Sequence, residues 1–197
     1  MHRPTTALAG LALATILSGV GTSPVHAASP TPAPAATARV QGQEPCRRTL
    51  PHYPKVRPGE RSRGVRVLQC VINDTSLGPI TVDGWYGPET RGAIRRLWGA
   101  FEGMPPHPYV VKHWYWTILF AVSHRMRGLH LGDLGVRVRS LQRALRADGW
   151  SIVVDGYFGR QTRARVRAFQ RSCELTPASG RVNEDTAFNL AMGGCGG

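Results

Sequence analysis

Lysine is almost missing from this 197-residue chain, with Lys55 and Lys112 the only two, and acids are scarce. Twelve Asp and Glu stand against 25 Lys and Arg, a formal charge of +13. That excess permits attraction to phosphate or carboxylate polymers. It reads equally as a solvated basic surface, and arginine in a chain rich in Ala, Gly, Val and Pro also follows from a GC-rich genome. A membrane span is missing too, since one needs roughly 18 to 20 uninterrupted apolar residues. The longest apolar stretch, Ala7 to Val20, is broken by Gly10, Thr15, Ser18 and Gly19.

Catalytic signatures are absent as well. His52, His107, His113, His124 and His130 form neither H-E-x-x-H nor a short H-x-H pair beside a carboxylate, so no zinc site is expected. There is no G-x-S-x-G elbow and no S-x-x-K, the usual signals of a serine nucleophile. A glycosidase pair meets in space rather than along the chain, yet Asp83 and Asp155 fall in turns, and Glu89, Glu184 and Asp185 at helix starts. These absences argue against an enzyme, and no metal or cofactor is expected.

What is present points to export. Residues 1–27 open with His2 and Arg3, pass through the apolar run and end in Val25-His26-Ala27, the pattern of a cleaved secretory signal peptide. Residues 28–45, ASPTPAPAATARVQGQEP, have no apolar periodicity and read as a flexible linker. Cys46, Cys70, Cys173 and Cys195 form an even set, which in a secreted chain argues for two disulfides and leaves no catalytic thiol. Four cysteines allow three connectivities, and spacing favours Cys46 with Cys70 and Cys173 with Cys195. Each loop of just over 20 residues would stabilise the fold by about 3 kcal/mol in the chain-entropy model.

Beyond the linker the chain repeats itself. Gly59, Val65, Arg66 and Leu68-Gln69 align with Gly132, Val138, Arg139 and Leu141-Gln142. After a one-residue shift, Val82-Asp83-Gly84, Gly87, Thr90-Arg91 and Arg95 align with Val154-Asp155-Gly156, Gly159, Thr162-Arg163 and Arg167. A period this long implies two copies of one small domain, 46–126 and 127–197, which leave no room for a catalytic domain of ordinary size.

Three helices per copy are expected, an all-α fold of two small tandem bundles. In the second copy Val138, Leu141 and Leu145 make one helical stripe stopped by Gly149. The next helix runs from about Arg160 to Cys173, and the third from an Asn183 N-cap to Gly193. In the first copy Val65, Leu68 and Ile72 form the first stripe, and Gly87-Pro88-Glu89 starts the second helix. The stretch after it, FEGMPPHPYVVKHWYWTILFAVSHR, is longer and more aromatic than its counterpart, and a strongly modified third helix is expected there, with Val110, Trp114 and Ile118 where Val182, Thr186 and Leu190 stand.

The second copy carries G-x-x-G-x-x-V-x-x-L-Q at Gly132 to Gln142 and D-G-x-F-G-x-x-T-x-x-x-V-x-x-F-Q at Asp155 to Gln170. Together these resemble the three-helix peptidoglycan-binding domain found beside many cell-wall hydrolases. The first copy resembles it through V-x-x-L-Q at Val65 and DGWYGPET at Asp83, departing at Ser62 and at Trp98, where the second copy has Gly135 and Gln170. The resemblance implies an all-α fold and a glycan or peptide-stem ligand in the bacterial wall, with no activity attached. Anionic wall polymers are a further candidate partner. Export argues against nucleic acid, and the sequence carries no sign of an oligomeric state.

Within the repeated octets, DGWYGPET and DGYFGRQT, folding explains most positions. Asp-Gly is a turn dipeptide, and Tyr86 and Phe158 read as buried anchors. Trp85 and Tyr157 should then project outward, where an aromatic face suits a sugar ring bearing an N-acetyl group. They lead the ligand-binding candidates, with Asp83, Asp155, Arg91 and Arg163 repeating beside them. Tyr109, Trp114, Tyr115, Trp116 and Phe120 read as core or inter-domain interface before they read as a sugar platform. Arg137, Arg139, Arg143 and Arg146, with Arg163, Arg165, Arg167 and Arg171, form either a polymer-binding face or a solvated one. The alternative function is a secreted interaction or inhibitor protein whose contact surface is the aromatic third helix of the first copy.

Overall fold

The computed structural model describes residues 46–195 apart from 100, 102 and 104–106. The expected signal peptide and the whole of the expected linker lie outside these residues. Six helices follow in order: α1 (Arg63–Ile72), α2 (Pro88–Trp98), α3 (His113–Ser123), α4 (Val136–Ala147), α5 (Arg160–Ser172) and α6 (Glu184–Ala191). Among the described residues there is no strand, only three isolated antiparallel bridges, so the fold is all-α as the pattern implies.

The helix ends follow the local chemistry. Ser62 caps α1 by accepting from the Val65 N–H at 3.2 Å, and Asn183 caps α6 by accepting from Thr186 at 2.9 Å. Pro88 occupies the first turn of α2, where its missing N–H costs nothing. The stop after α4 is Gly149 at φ 99°, a left-handed conformation that glycine adopts without penalty.

Helix α3 sits at the centre. Its sequence HWYWTILFAVS is apolar nearly all round, and a helix of that kind has to be enclosed. Tyr115 through Phe120 are six consecutive buried residues, and α3 packs on α1, α4 and α6. Burying each large side chain here contributes about 2 to 3 kcal/mol. The two sets of three helices therefore share one core rather than meeting edge to edge. His124 sits at the seam, its Nδ1 2.9 Å from Ser140 Oγ on α4 and 3.0 Å from Ser123 Oγ.

The third helix of the first set enters one residue later than its pattern predicts. Val111, not Val110, is fully buried and exchanges two 3.0 Å backbone hydrogen bonds with Val56. Val182 pairs in the same manner with Gly128 and Leu129. The matching positions are therefore Val111, Tyr115 and Leu119, because the longer connection after α2 takes up one extra residue.

The amino-terminal segment is stitched to both sets. Cys46 bonds Cys70 of α1, and Cys173 bonds Cys195, with Cα separations of 5.7 and 5.2 Å. Arg48 forms an ion pair with Asp74, and Tyr53 packs its ring 5.2 Å from Trp116. Arg143 donates to Thr49 Oγ1 at 2.9 Å and Arg146 to the Leu50 carbonyl at 3.2 Å. These two arginines of α4 thus hold the chain's own backbone and side chains, which takes them out of the basic face that the sequence suggested.

Candidate ligand-binding turns

Each octet is built around a glutamine. Gln142, 1 % exposed, reaches from α4 into the turn before α5. Its Nε2 donates to Asp155 Oδ1 at 2.7 Å, the Tyr157 carbonyl at 3.0 Å and Thr162 Oγ1 at 3.1 Å, while its Oε1 accepts from the Gly156 N–H at 2.8 Å. Gln69 repeats all four contacts with Asp83, Trp85, Thr90 and Gly84, at 2.7, 3.0, 3.2 and 2.8 Å. Gly84 and Gly156 have φ of 75° and 84°, so the turn requires glycine at both. Asp83 and Asp155 also accept from the backbone N–H two residues on, at 2.9 and 2.8 Å, the Asx-turn geometry.

These bonds set the acidity of the carboxylates. At Asp155 the Tyr157 N–H and the Gln142 amide favour the charged form and hold the carboxyl below its usual range. Burial opposes the charge at Asp83, but the Trp85 N–H and the Gln69 amide together outweigh it.

The aromatic pair divides as the alternation implies. Tyr86 and Phe158 are buried, whereas Trp85 is 36 % exposed and Tyr157 is 48 % exposed. Their rings fold back over the glycine that caps the next helix. A Cβ added at Gly87 would lie 2.7 Å from two ring carbons of Trp85, and one at Gly159 would lie 3.1 Å from Tyr157. Each ring therefore lies against the helix start while remaining partly exposed. Arg61 pairs with Trp85 across a backbone bridge and places its guanidinium 5.0 Å from the indole centroid, a cation–π distance. In the second set the bridge partner of Tyr157 is Leu134, 74 % exposed.

Arg91 and Arg163 do not share one environment. Arg91 is exposed and stands 4.8 Å from the Tyr109 ring centroid. The stem of Arg163 lies against Gly180, whose added Cβ would meet Arg163 Cγ at 2.7 Å. Tyr115, Trp116 and Phe120 are buried, with Trp98 and Tyr115 rings packed edge to face at 4.9 Å. They are core, so of the aromatic residues of α3 only Trp114, partly buried against that core, reaches the surface.

A third turn of the same construction escaped the sequence reading. Gln170 of α5 accepts from the Gly180 N–H at 2.8 Å and donates to the Arg181 carbonyl at 2.7 Å and Thr186 Oγ1 at 2.8 Å. Gly180 has φ 77°. The signal was Ser179 to Thr186, S-G-x-V-x-x-x-T, hidden because serine replaces aspartate and Asn183 replaces the capping glycine. In the first set Trp98 and Tyr115 take the places of Gln170 and Thr186. Both donate to the Pro108 carbonyl, the indole at 2.9 Å.

Among the described residues no group of three His, Cys, Asp or Glu is placed to hold a metal ion, and no helix is long and apolar enough to cross a membrane. Residues 135–187, from the start of α4 into α6, match the family described as "Putative peptidoglycan binding domain". The match does not extend to α1, α2 or α3. No curated protein and no solved structure matches the chain.

Proposed function

We propose that this is an exported bacterial protein that holds peptidoglycan without cleaving it. The observation that carries the reading is that the segment matching the peptidoglycan-binding family contains the Gln142-locked turn, with the Tyr157 ring half exposed on its surface. An amphipathic ring of that kind suits a sugar carrying an N-acetyl group, apolar on its face and hydrogen-bonding at its edge. Trp85 repeats the arrangement in the first set, so two related modules engaging one polymer would gain avidity. Two disulfides support an oxidising, extracellular setting. The absence of hydrolase motifs in the sequence supports a binding role.

The test is sedimentation of the purified protein with wall sacculi stripped of protein. Retention in the pellet is the expected result. A folded protein that stays in the supernatant sinks the reading and leaves the interaction-scaffold alternative, whose surface would be the exposed Phe188 and Met192 in place of α3. Release of label from dye-linked wall would overturn the non-catalytic half of the proposal.

A further inference from the structure

The departures of the first set have a consequence on its surface. Pro88, Arg91, Gly92, Arg95 and Tyr109 line a groove of about 270 Å³ beside α2. Arg91 and Arg95 stand one helical turn apart and flank Gly92. Among the described residues no acidic side chain lines the groove. Among the described residues the ion pairs are Arg48–Asp74, Arg127–Glu184 and His130–Asp133, and none of them involves Arg91 or Arg95.

The far wall is held rigidly. Tyr86 Oη donates to the Tyr109 carbonyl at 2.7 Å, and Trp98 Nε1 donates to the Pro108 carbonyl at 2.9 Å, joined there by the Tyr115 hydroxyl. These bonds set the Tyr109 ring against the Arg91 guanidinium. The floor is left open by Gly92, where an added Cβ would find only Arg96 Nη1 within 4 Å, at 3.7 Å. The second set has no counterpart. There the stems of Arg163 and Arg167 pack on Gly180, and Arg167 donates to the Ser179 carbonyl at 3.2 Å. Replacing Gln170 and Thr186 by Trp98 and Tyr115 thus exchanges a closed turn for an open basic groove.

We infer that this groove is a carboxylate-binding site. Two guanidinium groups one helical turn apart offer planar donor forks that match a carboxylate, and the Tyr109 ring gives the group carrying that carboxylate an apolar wall. The source of the carboxylate is the peptide stem of the wall polymer, a step that rests on the peptidoglycan reading above.

Calorimetry on the full chain tests the site, with two probes: a soluble stem tripeptide with free carboxylates, and the same peptide fully amidated. The free acid is expected to bind at least tenfold more tightly. Arg91→Gln and Arg95→Gln should each reduce that preference, and the double variant should erase it. Gly92→Glu should abolish acid binding by placing a carboxylate between the arginines, with no fall in melting temperature. Equal affinity for acid and amide, or a preference that survives the double variant, overturns the site. Displacement of the acid peptide by a glycerol-phosphate polymer at concentrations below the peptide's own Kd overturns the carboxylate assignment in favour of phosphate. Sacculus sedimentation run beside it separates the two claims. Wall binding without acid preference sinks the groove alone, and acid preference without wall binding sinks the stem as the source.

Discussion

Gln142 donates from Nε2 to Asp155 Oδ1 at 2.7 Å, and Gln69 donates to Asp83 at the same distance. Each glutamine ties its turn to the preceding helix through four hydrogen bonds. Replacing Gln142 by leucine keeps the volume but leaves the Gly156 N–H without its acceptor and removes the donor to Asp155, the Tyr157 carbonyl and Thr162 Oγ1. The expected loss is about 3 kcal/mol, read as a lower urea midpoint with an unchanged slope. A loss under about 0.5 kcal/mol, the range of ordinary surface substitutions, would show that the glutamine does not lock the turn.

Asp155 gives the stability a defined pH dependence. Its carboxyl is held below the ordinary value of 3.8 by the Tyr157 N–H and the Gln142 amide. The folded state thus prefers the charged form, so the stabilisation is present above that ordinary value and is lost as pH falls through the folded pKa. Asp155→Asn should be less stable than the wild type at pH 7, and the gap should close on acidification. A gap that persists at the acid end, measured by denaturant melts across pH, contradicts this.

Gly87 lies under the Trp85 indole, with room for no Cβ. Its φ of −87° is open to any residue, so Gly87→Ala tests the contact and not the backbone. The variant should fold, lose about 1 kcal/mol and swing the indole outward. The readout is the emission difference against a Trp85→Phe control, and an unchanged Trp85 emission would place the ring elsewhere.

Removing the exposed rings should weaken wall binding while sparing the fold. Trp85→Ala and Tyr157→Ala are each expected to cost about tenfold in affinity for sacculi, or ~1.4 kcal/mol, with far-ultraviolet circular dichroism unchanged. Undiminished sedimentation of the double variant excludes the aromatic positions as the contact.

The disulfides separate by what they fasten. Cys46–Cys70 ties the amino-terminal segment to α1, and Cys173–Cys195 ties the carboxyl end to the end of α5. Replacing either pair by serine should cost about 3 kcal/mol in the chain-entropy model. Loss of Cys46–Cys70 should also free Tyr53 from Trp116, changing near-ultraviolet dichroism where loss of the other pair does not.

The sequence made the helices and the paired octets legible because local chemistry dictates them. Asn183, Pro88 and Gly149 act within one turn of where they stand, and Val138, Leu141 and Leu145 share a stripe at any tertiary placement. The enclosure of α3 was not legible in the same manner. Apolar residues all round a helix state that it is covered without stating by what. The one-residue shift at Val111 was hidden for a related reason, since insertion in a loop leaves no periodic trace. Among the candidate residues, Trp85 and Tyr157 could be singled out by alternation with Tyr86 and Phe158. The open setting of Arg91 and the closed one of Arg163 depend on contacts with Tyr109 and Gly180 that arise only when the chain folds.

Because α3 packs on α1 and α4 at once, Trp85 and Tyr157 are carried on one shared core. Two binding rings on a flexible linker would capture a polymer at any spacing within reach. Under the proposed function, two rings on a single core would act as the jaws of a caliper set to one gap, favouring a strand whose repeat matches it.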